Sequence, residues 1–298
     1  MKKQMKIAFL GGDRRQHTAA VKLSRDGWDI YVWGQDISSE EKGISPCDNI
    51  YEAICDAAVI VLPLPASSDG ISLNTSCATD SGKVALSVII DAAPQDCIII
   101  GGRLGDSFFD LALSRGIKCF DYFDSEVFQI QNAYTTAEAA LSIAMDRLDK
   151  NIRDSRFAIT GYGRIARQLA RLLRCFGARV SVCARKDSDL TWARLEGCQT
   201  CKIGEKGSTD SLLEGYDVIF NTVPRWLFDE EFLVRVNKNT LMIELASAPG
   251  GIDVSAAKRL HSNVLWAASL PGKYAPQSAG ELIAECVGGL IEREVGAR

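Results

Sequence analysis

Residues 156–166 read Arg-Phe-Ala-Ile-Thr-Gly-Tyr-Gly-Arg-Ile-Ala, a short apolar run, a glycine turn and the start of an amphipathic segment. The G-x-G-x-x-A spacing is common by itself. Set between a strand and a helix it constrains the fold, because each small residue then has a mechanical task. Gly161 lets the chain turn sharply, Gly163 leaves room for a pyrophosphate against the main chain, and Ala166 lets helix and strand pack closely. The helix N-terminus offers N–H groups without intrahelical partners, and a favourable dipole, to the phosphates. The turn therefore predicts a dinucleotide site at Gly161, Tyr162, Gly163, Arg164 and Ile165.

The next strand distinguishes the two nicotinamide dinucleotides. Arg179–Cys183 alternates in polarity and runs into Ala184-Arg185-Lys186. A carboxylate there would bond the ribose hydroxyls and repel a 2′-phosphate. Arg185 and Lys186 attract one, and an arginine forks onto it or stacks on adenine. The expectation is NADP, with Ala184, Arg185 and Lys186 around the adenosine end. The alternative is a pair of solvated cations with Asp187 on the ribose. Three later segments carry the Pro and Gly that fix loop shape: Asn221-Thr222-Val223-Pro224, the run from Ala246 to Gly251, and Leu270 to Pro276. Asn221, Thr222, Val223, Pro224 and Ala246 are expected on the cofactor face, and Lys273 and Tyr274 are candidates for acid–base work.

Elsewhere, apolar runs at Lys6–Leu10, Asp29–Trp33, Ala57–Leu62, Cys97–Gly101 and Ile117–Tyr122 alternate with helical patterns. That rhythm predicts parallel sheets with helices on their faces. The fold class is α/β: two Rossmann-like domains with parallel β-sheets, the second an NAD(P)-binding Rossmann fold. The expected division is a flavodoxin-like substrate domain over residues 1–135, a linking helix over 136–150 capped by Thr135 or Thr136, a nucleotide domain over 151–275, and a C-terminal helix over 276–298 packing back on the first domain. The first strand ends in Gly11-Gly12-Asp13-Arg14-Arg15, without a third small residue at the right spacing, so no second dinucleotide site is expected. A charged loop at the carboxyl end of a strand suits an anionic substrate.

Composition excludes several classes. A net charge of −4 with mixed signs gives no basic stripe for a nucleic acid. The N-terminal apolar run is too short for a signal peptide, and no apolar stretch is long enough to span a membrane, so a cytoplasmic location is expected. The 10 cysteines are irregularly spaced and there are only 2 histidines. Cys198 and Cys201 lack the second pair that a structural zinc site needs, so no metal is expected.

Taken together, these segments resemble the family of dipicolinate synthase A subunits. The likeness runs along essentially the whole chain: Ile7 to Gln16, Asn132 to Glu138, Gly161–Ala166, Ala184-Arg185, Asn221–Pro224, Leu245–Gly251 and Leu270–Gly280. The last block, L-P-G-K-Y-A-P-Q-S-A-G, is the most specific. Ala248 stands where the family has an arginine, so no carboxylate-binding role is carried to it. The resemblance implies an NADP-dependent oxidoreductase that forms dipicolinate, pyridine-2,6-dicarboxylate, from 4-hydroxy-tetrahydrodipicolinate on a branch of the lysine pathway. It implies, as partner, the smaller flavoprotein-like B subunit of dipicolinate synthase. The implied location is the mother-cell cytoplasm of a sporulating bacterium; homo-oligomer formation is left open. A dianionic substrate needs cations, for which Arg14, Arg15 and Arg103 are candidates with Lys273. Asp13, Glu126, Lys273 and Tyr274 are candidates for the catalytic acid or base. Competing readings are a two-domain 2-hydroxyacid or amino-acid dehydrogenase, and a regulatory or scaffold subunit that only binds NADP.

Overall fold

The computed structural model describes residues 5–35, 43–76, 83–203, 209–213 and 215–295. Its chain divides into two compact units, Met1–Gln131 with Ala275–Arg298, and Asn132–Tyr274. The first contains β1 (Lys6–Leu10), α1 (Arg14–Arg25), β2 (Asp29–Trp33), β3 (Ile44–Pro46), α2 (Ile50–Ile54), β4 (Val59–Val61), α3 (Leu86–Ala92), β5 (Ile98–Gly101), α4 (Asp106–Ser114) and β6 (Lys118–Asp121). All pairings are parallel, in the order β3-β2-β1-β4-β5-β6. The central strands β1, β4 and β5 are buried almost throughout, which is why they read as unbroken apolar runs.

This order corrects the expected flavodoxin-like one. Five of the strands, β2-β1-β4-β5-β6, follow the flavodoxin-like sequence 2-1-3-4-5. The short β3 adds to the β2 edge and makes the six-strand order that of a dinucleotide-binding sheet.

Helix α5 (Glu126–Arg147) follows, and the division between units falls inside it. It begins ten residues earlier than the helix expected over 136–150. Residues 126–135 contain no Pro or Gly to stop a helix. Thr136 does not cap: its hydroxyl donates back to the Asn132 carbonyl at 2.8 Å, as a threonine inside a helix does.

The second unit contains β7 (Arg156–Thr160), α6 (Arg164–Cys175), β8 (Arg179–Ala184), α7 (Asp187–Leu195), β9 (Gln199–Lys202), β10 (Val218–Asn221), α8 (Glu230–Arg235), β11 (Leu241–Glu244), α9 (Val254–Arg259), β12 (Val264–Trp266) and α10 (Leu270–Tyr274). Its sheet, also parallel, runs β12-β11-β10-β7-β8-β9, the same order read from the other edge. On α6 the buried face is Ala166, Leu169, Ala170 and Leu173, while Arg164, Arg167, Arg171 and Arg174 lie on the other side. The 3.6-residue period thus sets one face of α6 on the sheet. Helix α11 (Pro276–Glu294) returns to the first unit and packs on α1. Gly280 permits this approach, since a Cβ there would stand 2.5 Å from both the Arg15 carbonyl oxygen and Thr18 Cβ. Among the described residues no helix is long and apolar enough to cross a membrane, and no cluster of potential metal ligands occurs.

Candidate functional site

In the second unit, Gly161 leaves β7 with φ +82 and donates its N–H to the Cys183 carbonyl at 2.8 Å. A Cβ at Gly161 would stand 2.9 Å from both Thr222 Oγ1 and Val223 Cγ2, so the loop after β10 closes on this turn. Gly163 is the N-cap of α6 and has no side chain to accept the first-turn N–H groups. A Cβ built on it meets nothing within 4 Å. The first turn of α6 carries no acidic residue. Donors, dipole and open space therefore coincide where a diphosphate would bind. Gly163 and Arg164 are exposed and Ile165 is half-buried.

Tyr162 has only its main chain available to a ligand. Its ring is buried, its hydroxyl donates to Glu196 Oε2 at 2.7 Å, and the Arg167 guanidinium lies over the ring. Burial, then the Glu196 carboxylate, push the phenol well above its usual range.

Ala184 ends β8 buried, followed by exposed Arg185 and Lys186. Beside them Lys202, which pairs with Ala184 across the sheet, bonds both Asp187 carboxylate oxygens at 2.8 and 2.9 Å. Asp187 is thus engaged by a cation.

At the carboxyl ends of β7, β10 and β11, Thr160, Asn221 and Glu244 stand in one register row, all buried. The Thr160 hydroxyl donates to Asn221 Oδ1, and Asn221 Nδ2 donates to both Glu244 oxygens at 2.8 and 2.9 Å. Glu244 also accepts the N–H groups of Ala246, Gly251 and Ile252 at 2.8–3.1 Å. Asn221, expected on the cofactor face, is instead an internal tie whose oxygen and amide are both engaged within the sheet edge. Thr222 and Val223 remain beside the turn, Thr222 through its hydroxyl bond to the Thr160 carbonyl at 2.7 Å; Ala246 is buried and gives its N–H to Glu244, and Pro224 is exposed. Sequence reasoning missed Glu244 and Lys202. The signal for Glu244 was a single carboxylate closing an otherwise apolar strand, Leu-Met-Ile-Glu. Lys273 and Tyr274 are exposed on α10.

In the first unit Asp13 is the N-cap of α1, accepting from the Arg15 N–H at 3.0 Å. The Arg15 side chain turns back onto the same carboxylate, with Nη2 to Oδ2 at 2.8 Å, and also donates to the Leu64 carbonyl. Arg15 is therefore buried and engaged internally, whereas Arg14 is exposed. Arg103 follows β5 with φ +56, a conformation uncommon outside glycine and costing roughly 1–2 kcal/mol. Its N–H bonds Asp121 Oδ1 at 3.1 Å, and its guanidinium lies 5.0 Å from the Phe123 ring centroid. Burial raises the Asp121 carboxyl even though it accepts three main-chain N–H groups, those of Arg103, Leu104 and Phe123. Glu126 lies exposed in the first turn of α5, where its charge complements the dipole. The Asp121 carboxylate thus anchors the Arg103 main chain in this conformation at the carboxyl edge of the sheet.

Comparison with known proteins follows this division. Residues 6–123 match the N-terminal domain of the dipicolinate synthase A subunit, and residues 126–268 match the NAD-binding domain of D-isomer specific 2-hydroxyacid dehydrogenases. The dipicolinate synthase A subunit of Bacillus subtilis (strain 168) is 29% identical over 295 residues, covering 96% of each chain. Along nearly its whole length the chain is therefore similar to dipicolinate synthase A subunits. The crystal structure of the A chain of dipicolinate synthase from Bacillus subtilis superposes with a TM-score of 0.85 at 27% identity, covering 100% of this chain and 99% of that one. That of the same subunit from Bacillus halodurans gives 0.85 at 25%, covering 98% and 99%. Residues 126–268 therefore form an oxidoreductase-like domain for a nicotinamide dinucleotide. The open cap at Gly163 fits that group.

Proposed function

We propose that the chain is the oxidoreductase subunit of a dipicolinate synthase, forming pyridine-2,6-dicarboxylate from 4-hydroxy-tetrahydrodipicolinate with NADP. Two changes separate substrate from product. The ring hydroxyl leaves with a proton as water, and two hydrogens leave, one as hydride and one as a proton. When bound, the nicotinamide supplies the hydride acceptor, while the protein supplies position and field.

The observation that carries the NADP reading is the charge balance at the end of β8. Asp187, the carboxylate beside Arg185 and Lys186, is paired with Lys202. An acceptor for ribose hydroxyls is thereby neutralised, and the remaining cations suit a 2′-phosphate. The N–H groups of the first turn of α6 hold the diphosphate, with Thr222 and Val223 bordering the turn and Ala246 expected on the same cofactor face. For the substrate, Arg14 and Arg103 are the two exposed candidates in the first unit, and Arg15 acts by holding Asp13. Lys273 and Tyr274 carry donors in the open and are favoured as the acid that assists loss of the hydroxyl. Asp13 and Glu126 already serve helix N-termini. A dipicolinate synthase B subunit is the expected partner, and the mother-cell cytoplasm of a sporulating bacterium the expected place.

The cofactor assignment is tested by Arg185→Glu. NADP affinity should fall at least about tenfold, some 1.4 kcal/mol, with NAD affinity little changed; an unaltered preference would reject it. The reaction is tested by supplying substrate and NADP to the chain, alone and with the B subunit present, while NADPH and pyridine absorbance are recorded together. If neither appears in either mixture, the scaffold reading replaces this one.

A further inference from the structure

Cys183 and Cys201 face each other across neighbouring strands β8 and β9, in direct register. Their sulfurs lie 2.7 Å apart. Adjacent strands run about 4.8 Å apart, inside the roughly 4.4–6.8 Å between Cα atoms that a disulfide spans. The two thiols differ in setting. Cys183 is fully buried, whereas Cys201 is half-buried and has the Ser211 hydroxyl 3.0 Å from its sulfur. Contact with Cys183, and then with Ser211, lowers the Cys201 thiol below its ordinary value against the opposing effect of burial, and the same contact pushes Cys183 up. Burial raises the thiols of Cys47, Cys119, Cys198 and Cys286, so Cys201 differs from each of them.

We propose that Cys201 is a nucleophilic thiol that, on meeting a peroxide, forms a reversible disulfide with Cys183. The Cys201 thiolate attacks one peroxide oxygen, the O–O bond breaks, and the departing hydroxide takes a proton to become water, leaving a sulfenic acid. The Cys183 sulfur then attacks the Cys201 sulfur, the S–O bond breaks, and the hydroxyl leaves as a second water with the Cys183 proton. Two thiols are oxidised by two electrons and one peroxide is reduced to two waters. The bond would join β8 just before Arg185 to β9 just before Lys202. The inference does not depend on which dinucleotide binds.

The test uses the intact chain with a small excess of hydrogen peroxide at neutral pH, followed by alkylation and peptide mass spectrometry. The expected product is a Cys183–Cys201 cross-linked peptide pair that dithiothreitol releases. Cys183→Ala should instead accumulate a dimedone-trappable sulfenic acid at Cys201, and Cys201→Ser should give neither product. Without any substitution, Cys201 should be alkylated at pH 7 several-fold faster than the exposed thiols Cys55 and Cys175. Oxidation or alkylation of Cys201 no faster than theirs, or a cross-link to another cysteine, would overturn the proposal.

Discussion

The turn after β1 and the turn after β7 occupy equivalent places in two sheets of the same strand order, and they treat negative charge in opposite ways. Both begin with a glycine of positive φ whose N–H bonds the neighbouring strand, Gly11 to Trp33 and Gly161 to Cys183, each at 2.8 Å. Both end on an extended N-cap, Asp13 or Gly163. In the first unit the cap brings its own carboxylate, Arg15 neutralises it, and the 74–76 segment bonds over the turn through Asn74 and Ser76 to Gly12. In the second the cap is bare and open. One topology thus yields a closed, self-neutralised turn and an open turn with no carboxylate at its cap or in the first turn of its helix. The difference rests on a few side chains rather than on the fold.

Moving the carboxylate is the strongest way to break that contrast. Gly163→Asp should cap α6 as Asp13 caps α1, and repel the diphosphate. Dinucleotide affinity should drop at least about 100-fold, close to 3 kcal/mol. Thermal stability should hold or improve by about 0.5 kcal/mol, from the better cap and the carboxylate on the helix dipole. Titration calorimetry with a melting curve reads both; retained binding would mean the diphosphate does not use this helix end.

Adding only a methyl group separates the two turns on stability. A Cβ at Gly12 collides with Gln16 Cβ and adopts φ +93, whereas one at Gly163 meets open space. Gly12→Ala should cost about 2–3 kcal/mol in denaturant unfolding. Gly163→Ala should cost no more than about 1 kcal/mol, the poorer capping by alanine being partly offset by its stiffer unfolded chain. Equal losses would show that the second turn is as tightly filled as the first.

Beneath the open turn, Glu244 shapes the loop after β11 through three main-chain N–H groups. Glu244→Gln places an amide among donors and leaves at least one buried N–H without an acceptor. The expected cost is about 2 kcal/mol, with weaker dinucleotide binding following from a loosened Ala246–Ile252 loop. Faster amide exchange at Gly251 and Ile252 would locate the effect.

The Gly161–Ala166 turn is legible in the sequence because its small residues fall at fixed local spacing between a strand and a helix, even though Cys183 and Thr222 that border it lie far along the chain. The Asp13 turn is only half legible. Its glycines and charges are visible, but the fate of Arg15 depends on the Leu64 carbonyl, and closure of the turn on Asn74 and Ser76, all far along the chain. Asn221 misleads for the same reason: it ends a strand beside the cofactor turn, and only the register row with Thr160 and Glu244 shows where its amide goes. Short elements such as β3, α8 and α10 contain fewer than two full periods, so no repeating pattern betrays them. The early start of α5 is hidden because residues 126–135 mix polar residues with β-branched and aromatic ones, such as Val127, Phe128 and Ile130, that also suit a strand.

Two carboxylates at opposite sheet edges extend the comparison to pH. Partial burial pulls the Asp217 carboxyl up, but the hydrogen bond from Lys150 at 2.7 Å and the Arg156 N–H at 2.8 Å prevail and hold it below its ordinary value. A folded value below the unfolded one means that its stabilisation is present above the ordinary carboxylate value, near 4, and is lost as pH falls through the lower, folded value. Asp121 in the first unit has the opposite sign. Burial raises it, so its ionisation opposes folding at neutral pH, and that penalty disappears as pH falls from the folded value to the unfolded one. Asp217→Asn should therefore cost about 0.5–1 kcal/mol at pH 7 and flatten the acid-side loss of protection in the second unit. Hydrogen exchange resolved by unit between about pH 5 and pH 3 measures this. An equal flattening in the first unit would show that the two units do not titrate through these groups.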